Sequence, residues 1–261
     1  MKYFGKFSGL LVFVLMTASA LGQSINKNGV VINTVTTAVP FLRINPDARA
    51  GGMGDVGIAS PADANGLYAN PAKLAFIDSS DFGFAVGFSP WLKALVNDIY
   101  LANLTGYYKV KKMQTIALSV RYFSLGNITF TDASGQETGQ FRPNEFAIDM
   151  HYARLLGKYF SIAASLRVIY SNLAGGQQVD GNLIKPGVAG AGDISWYFRK
   201  NFKKDGVKMS HDLMVGMAIT NIGSKISYTS NVVKDFIPTN LGIGLGYTLN
   251  IDDKNGVGIY T

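Results

Sequence analysis

The chain has 261 residues, 24 Lys and Arg against 17 Asp and Glu, and a formal charge of +7. Charged residues make up only 16%, below the roughly 25% of ordinary soluble domains, whereas 13 Tyr, 16 Phe and 30 Gly exclude a disordered chain and speak against a helical one. Cysteine is absent, which removes disulfides, thiolate metal sites and Cys nucleophiles, and two histidines, His151 and His211, leave little room for a multi-histidine metal centre.

In chain order, the first predicted element is an export signal over 1–22. Lys2 and Lys6 precede a short apolar run, Gly9 to Met16, followed by Ala18-Ser19-Ala20 as a cleavage site. That run is too short to span a bilayer as a helix, and no later stretch reaches the length one needs. Residues 23–81 are rich in Asn, Gly, Ala, Asp and Pro and show no sustained period. A segment of this kind ahead of the first strand is expected to pack inside a barrel as a plug.

From Phe82 the period is two. Strands are predicted at 82–90, 99–110, 114–125, 144–156, 159–170, 189–200, 211–222 and 238–250, with another starting at 255. Phe160, Ile162, Ala164, Leu166, Val168 and Tyr170 share one face, while small or polar residues including Ser161, Ser165 and Arg167 take the other. Glu145, Asp149, Arg121 and Arg167 then all point to the polar side. The runs are about 10–12 residues long, against ~5–6 for globular sheets and ~9–11 for strands that cross a bilayer at a tilt. Aromatics near the ends of the apolar faces, such as Tyr100, Tyr108, Phe160 and Tyr170, fit interfacial girdles. Short turns (111–113, 157–158, 252–254) alternate with long loops (126–143, 171–188, 223–237), as in outer-membrane barrels; the basic stretch 201–210 is a longer turn. The fold class expected is all-β, an outer-membrane β-barrel with an N-terminal plug. Bacterial barrels use an even number of strands, so roughly nine strands read as part of a larger barrel truncated at its C-terminus.

The stretch from Phe41 to Asp55 (Phe-Leu-Arg-Ile-Asn-Pro-Asp-Ala-Arg-Ala-Gly-Gly-Met-Gly-Asp) resembles the N-terminal signature of the PorV family, outer-membrane proteins of the type IX secretion system of Bacteroidetes. Asn70-Pro71-Ala72-Lys73-Leu74-Ala75-Phe76 and Pro90-Trp91-Leu92 with Leu95-Val96-Asn97-Asp98-Ile99 fit the same family. The resemblance runs from about residue 38 to the end. It implies a barrel similar to the FadL fatty-acid transporters, of about fourteen strands when complete, plugged by the N-terminal segment. It also implies a shuttle that does no chemistry. Such a protein takes folded cargo bearing a shared C-terminal domain from the type IX translocon barrel and hands it to the attachment complex containing the PorU sortase. No cofactor and no nucleic acid enter this picture; outer-membrane lipid does.

Gly52-Met53-Gly54-Asp55-Val56-Gly57 matches G-x-G-x-x-G, but Pro46 lies before it and Pro61 after it, without the strand and helix a dinucleotide site requires; close backbone packing is the expectation. Asn70-Pro71 reads as a turn or a hatch element. Arg43, Asp47, Arg49 and Asp55 are expected to pair with the wall charges Glu145, Asp149, Arg121 and Arg167, because buried charges need partners. His151 beside Asp149 reads as a structural lumen residue, since no nucleophile is indicated. Asn103-Leu104-Thr105 and Asn127-Ile128-Thr129 match the glycosylation sequon, which a bacterial export signal discounts. Arg199, Lys200, Lys203, Lys204 and Lys208 form a basic cluster that would be solvated or meet anionic headgroups. Trp91, Leu92, Leu95 and Val96, and in the last long loop Tyr228, Val232, Val233, Phe236 and Ile237, are apolar for exposed loops and are the expected contacts for cargo or partners. A FadL-like transporter of hydrophobic small molecules is the alternative; it calls for a continuous apolar path through the lumen.

Overall fold

The computed structural model describes residues 36–261 except 79, 133, 180–181, 204–208, 230–233 and 253–254. The expected export segment, the first part of the expected plug, and Lys204, Lys208, Val232 and Val233 lie outside the described residues. The strands are β1 (Phe82–Pro90), β2 (Ile99–Lys111), β3 (Gln114–Leu125), β4 (Ile128–Thr131), β5 (Glu137–Phe141), β6 (Asn144–Leu155), β7 (Phe160–Asn172), β8 (Gln178–Val179), β9 (Asn182–Leu183), β10 (Gly187–Lys203), β11 (Ser210–Gly223), β12 (Asn240–Asn250) and β13 (Gly256–Tyr260). Nine of these form one antiparallel sheet in the order β1-β2-β3-β6-β7-β10-β11-β12-β13.

Strand positions follow the alternation in the sequence to within three residues at each end. The loop expected over 126–143 instead holds a separate hairpin, β4 paired with β5, and the loop over 171–188 holds the small pair β8–β9. The basic stretch at 201–210 is partly strand. Asn201, Phe202 and Lys203 continue the ladder opposite Asp212, His211 and Ser210, so the β10–β11 hairpin extends past the apolar band.

The sheet is built inside out. Phe84, Leu118, Leu166 and Ile243 are 60–77% exposed, whereas Arg121, Asp149 and Asp193 on the opposite face are at most 3% exposed. Water would not tolerate the first face uncovered over nine strands; a hydrocarbon layer would. Rings gather at both ends of that face. Phe88, Tyr100 and Tyr122 are in successive ring contact at one end, with Phe146 against Tyr170, and Phe160 lies against Trp196 at the other. Phe160 and Tyr170 are ten residues apart on β7. At about 3.3 Å per residue and a tilt near 40°, that separation covers about 25 Å, the height of an apolar membrane band.

Residues 36–81 lie against the polar face as a run of short helices. These are η1 (Pro40–Arg43), α1 (Ala48–Gly52), η2 (Ala64–Tyr68) and η3 (Pro71–Phe76). Two apolar clusters hold them there. Leu67, Leu74 and Phe76 pack with Tyr197 and Met214; Val39, Phe41 and Leu42 pack with Leu101, Phe123, Ile169 and Ile226.

Candidate functional site

The charged side chains of the polar face form a belt across four neighbouring strands. Register places Asp149 of β6 directly opposite Arg167 of β7, and the two are hydrogen bonded. Arg167 also donates to Asp193 of β10 at 3.0 Å, and Arg121 of β3 lies 3.7 Å from Asp149. The backbone N–H of Asn221 donates to Asp193 at 2.7 Å, and its side-chain oxygen accepts from Arg167. Asn221 holds a left-handed φ of 59°, in a strand where the β10–β11 register shifts between Gly192 and Ile194. The irregularity turns the Asn221 backbone amide toward Asp193, giving that carboxylate a second donor.

His151 sits in the same belt, joined to Asp149 through Ser119 rather than by a direct hydrogen bond. Its Nδ1 is 2.7 Å from Ser165 Oγ and its Nε2 is 3.2 Å from Ser119 Oγ, and Ser119 donates to Asp149 at 3.0 Å. The sequence had suggested no hydroxyl partner for this histidine. All four groups are buried, so the relay ties β3, β6 and β7 together out of reach of solvent. Glu145, expected among the ion pairs, is answered instead by the Ser171 hydroxyl at 2.6 Å.

The expected pairing between N-terminal charges and wall charges is overturned. Arg49 pairs with Asp63 of its own segment at 2.9 Å, and Asp47 caps α1 by accepting from the Arg49 amide. Arg43 and Asp55 are exposed. The reason is register: Asp149, Arg167 and Asp193 find their counter-charges on neighbouring strands, where cross-strand side chains meet directly. What the segment supplies is backbone, since Leu42 O accepts from Arg121 Nη1 at 3.2 Å.

Asn70 and Pro71 begin η3 rather than a simple turn. Asn70 Oδ1 accepts from the Ala72 amide at 3.1 Å, and Pro71 occupies the first helical position, where its missing N–H costs nothing. Asn70 Nδ2 then donates to Ile58 O and to Trp196 O of β10, each at 3.0 Å. Ser161 of β7 donates to Ala72 O at 2.7 Å, the Ala72 amide reaches Ser195 at 3.2 Å, and Tyr197 OH donates to Ser60 O at 3.2 Å. Four side chains thus latch the segment to β7 and β10. Beside them, Gly216, Gly242 and Gly244 leave a groove in β11 and β12 that the Ile58 backbone and side chain fill; a Cβ on Gly242 would lie 2.7 Å from Ile58 Cδ1.

Lys73 was not singled out by the sequence reading. It is 1% exposed, and its Nζ donates to Gly57 O at 2.8 Å and Ser60 Oγ at 2.7 Å. Burial lowers its pKa to about 8, opposed by the Asp63 carboxylate. A lysine at the centre of the apolar run Pro71–Phe76 was the available signal. Gly57, last of the G-x-G-x-x-G match, packs against Ala69, where a Cβ would come within 2.7 Å of the alanine methyl, as close packing requires.

A cavity of about 350 Å³ opens between the segment and the wall, bordered by Arg43, Asp55, Tyr68, Arg121, Thr220 and Asn240 among others. Arg121 lies under the Tyr68 ring, 5.3 Å from its centroid. Burial raises the Tyr68 phenol to about 12 despite the guanidinium beside it.

The apolar loop residues separate into two groups. Leu92 and Leu95 are 55% and 81% exposed, with Trp91 and Val96 beside them, in a tight turn closed by Leu95 and Val96 amides on Leu92 O. Leu92 holds a left-handed φ of 52°, a conformation unfavourable for a bulky side chain. Phe236 is also exposed, capped by Lys225 at 4.0 Å. Ile237, expected as a partner contact, is instead buried with Phe41 and Ile226, and Tyr228 is half-buried with its hydroxyl on Ser171 at 3.0 Å. Their loop folds back through the Ile226–Asp235 bridge, which removes both from the exposed surface.

No curated protein matches the chain. The family of the type IX secretion system protein PorV matches residues 25–261. With that match spanning nearly the whole sequence, and with a long-stranded antiparallel sheet that is apolar outside and charged inside, the chain belongs to the PorV family, outer-membrane β-barrel components of type IX secretion.

Proposed function

We propose that this chain is the shuttle of its secretion system. It binds cargo carrying a shared C-terminal domain at the translocon barrel and delivers it to the PorU-containing attachment complex at the cell surface. The observation that carries this reading is the exposed apolar turn at Trp91, Leu92, Leu95 and Val96 on the rim that carries the long loops, in a chain belonging to a secretion family. Phe236 is exposed in the last of the long loops on the same rim. The 23–81 segment acts as the plug, tied to the wall through Asn70, with Pro71 starting the helix behind that tie and Arg43, Asp47, Arg49 and Asp55 as its charged groups. The reading assigns the chain no catalytic step. The transporter alternative draws less support, because the belt of Arg121, Asp149, Arg167 and Asp193 interrupts any apolar path.

Affinity purification of the tagged chain from solubilised outer membranes tests this. Wild type should carry with it the translocon barrel and secreted proteins sharing a C-terminal domain. The double substitution Leu92→Ser, Leu95→Ser should cut cargo recovery about tenfold or more, the scale expected when two apolar anchors are lost, while membrane insertion is retained. Recovery of neither class of protein, or equal recovery with the double variant, would overturn the assignment.

A further inference from the structure

We infer that the cavity beneath Arg43 and Arg121 is a binding site for a small oxyanion, the carboxylate or phosphate of a compact polar solute. Three observations converge on it. First, Arg121 is only 2% exposed yet, among the described residues, makes a single hydrogen bond, from Nη1 to Leu42 O; its Nε has no acceptor there, and its Nη2 stands 3.7 Å from an Asp149 already engaged by Arg167. A guanidinium has five donors in a planar fork that matches a carboxylate or phosphate, and buried charges are ordinarily both paired and hydrogen bonded. Second, the volume, about 350 Å³, falls in the range of small-molecule sites, and the lining adds neutral polar groups at Thr220, Asn221 and Asn240. Third, two guanidinium groups, Arg43 and Arg121, border the space against one carboxylate, Asp55.

The surroundings favour an anion held against a rigid wall. Asn221 is fixed by Arg167, Asp193 and Pro238, the last accepting from its Nδ2 at 3.0 Å. Arg121 is clamped between the Tyr68 ring and Leu42 O. The Tyr68 hydroxyl, beside this guanidinium, is buried next to Asn103 and Ser119. Arg43, by contrast, is exposed and stands at the mouth, where it can meet an incoming anion before the buried guanidinium does. The site is polar and charged, which separates it from a pocket for a hydrocarbon chain.

The probes are inorganic phosphate and acetate, each titrated into the detergent-solubilised protein at constant ionic strength against chloride, with unfolding followed by intrinsic fluorescence. At ten times the dissociation constant, the preferred probe should raise the midpoint by about 3–5 °C. Asn240→Asp, which adds a second carboxylate at the exposed edge of the cavity, should abolish most of that rise, and Arg43→Gln should weaken it. Both positions are exposed, so neither variant threatens the fold. A rise with phosphate alone assigns a phosphate ligand, and one with acetate alone a carboxylate. No rise with either probe, as expected were the cavity to hold water only, or an equal rise in Asn240→Asp, would overturn the inference.

Discussion

Lys73 shows how a single side chain sets a pH dependence. Below about pH 8 it is protonated in both the folded and the unfolded chain, and the folded state bears the cost of a buried ammonium that Gly57 O, Ser60 Oγ and the nearby Asp63 carboxylate offset in part. Between about 8 and the ordinary 10.5 the unfolded chain holds the proton and the folded chain does not, so stability rises with pH through that window. The full gain is about 3 kcal/mol. Midpoints of thermal unfolding in detergent should therefore climb from pH 8 to 10.5, and Lys73→Met should remove that climb; an equal slope in the variant would refute the account. The wall charges make a different point at the same scale. Asp149 and Arg167 are each nine residues from Lys158, so a three-residue loop centred on Lys158 sets them face to face, whereas the expected two-residue turn at Gly157 and Lys158 would have set Asp149 opposite Leu166. The sign and period of the charges along the sequence do not by themselves fix this register. The register that decides between a wall partner and a plug partner was left aside, and the pairing was therefore assigned to the wrong groups.

At the scale of elements, the alternation of residue types located the long strands because one face of each must be apolar throughout, a constraint that every second residue reports. It could not locate what lies against the other face. The contact between Ile58 and the glycines of β11 and β12 joins positions more than 150 residues apart, and glycine carries no polarity to mark it. Gly216 is the sharpest case: a Cβ there would lie 2.5 Å from Ile58 O and 2.8 Å from Asn70 Nδ2. Gly216→Ala should push the segment off its latch and cost about 1–3 kcal/mol, as overpacking does. The same substitution at Gly190, whose added methyl meets nothing within 4 Å, is the control. Faster proteolysis of residues 36–81 in the first variant and not in the second would distinguish a loosened segment from a general loss of stability. Equal cutting in both would show that the groove does not hold the segment in place. The hairpin β4–β5 escaped the reading for another reason: four or five residues at a rim need no continuous apolar face, so the pattern there is too short to speak.

For the molecule as a whole, the decisive property is which side of the sheet meets hydrocarbon. Leu166 is 73% exposed midway along β7, between the aromatic ends at Phe160 and Tyr170. Leu166→Lys should destabilise the protein in lipid by about 2–4 kcal/mol, and Leu166→Phe should leave it nearly unchanged. Denaturant titration in liposomes reads the difference; if the lysine were tolerated, the apolar face would have to be in contact with something other than acyl chains. The family and the fold were legible because both rest on local strings of residues. The surface available to a partner was legible only in part. Trp91, Leu92 and Phe236 kept the exposure expected of them, while Ile237 was taken inward by a loop whose path depends on Phe41 and Ile226, far away in sequence.

The belt has a bearing on how such a chain could enter a bilayer. Arg121, Asp149, Arg167 and Asp193 stand on β3, β6, β7 and β10, so the sign reverses with each strand added along this stretch of the sheet. A growing edge that recruits strands in sequence order brings each newcomer beside its own counter-ion. Over these four strands the edge therefore never accumulates more than one unmatched charge, and the electrostatic cost of assembly stays flat as the wall lengthens.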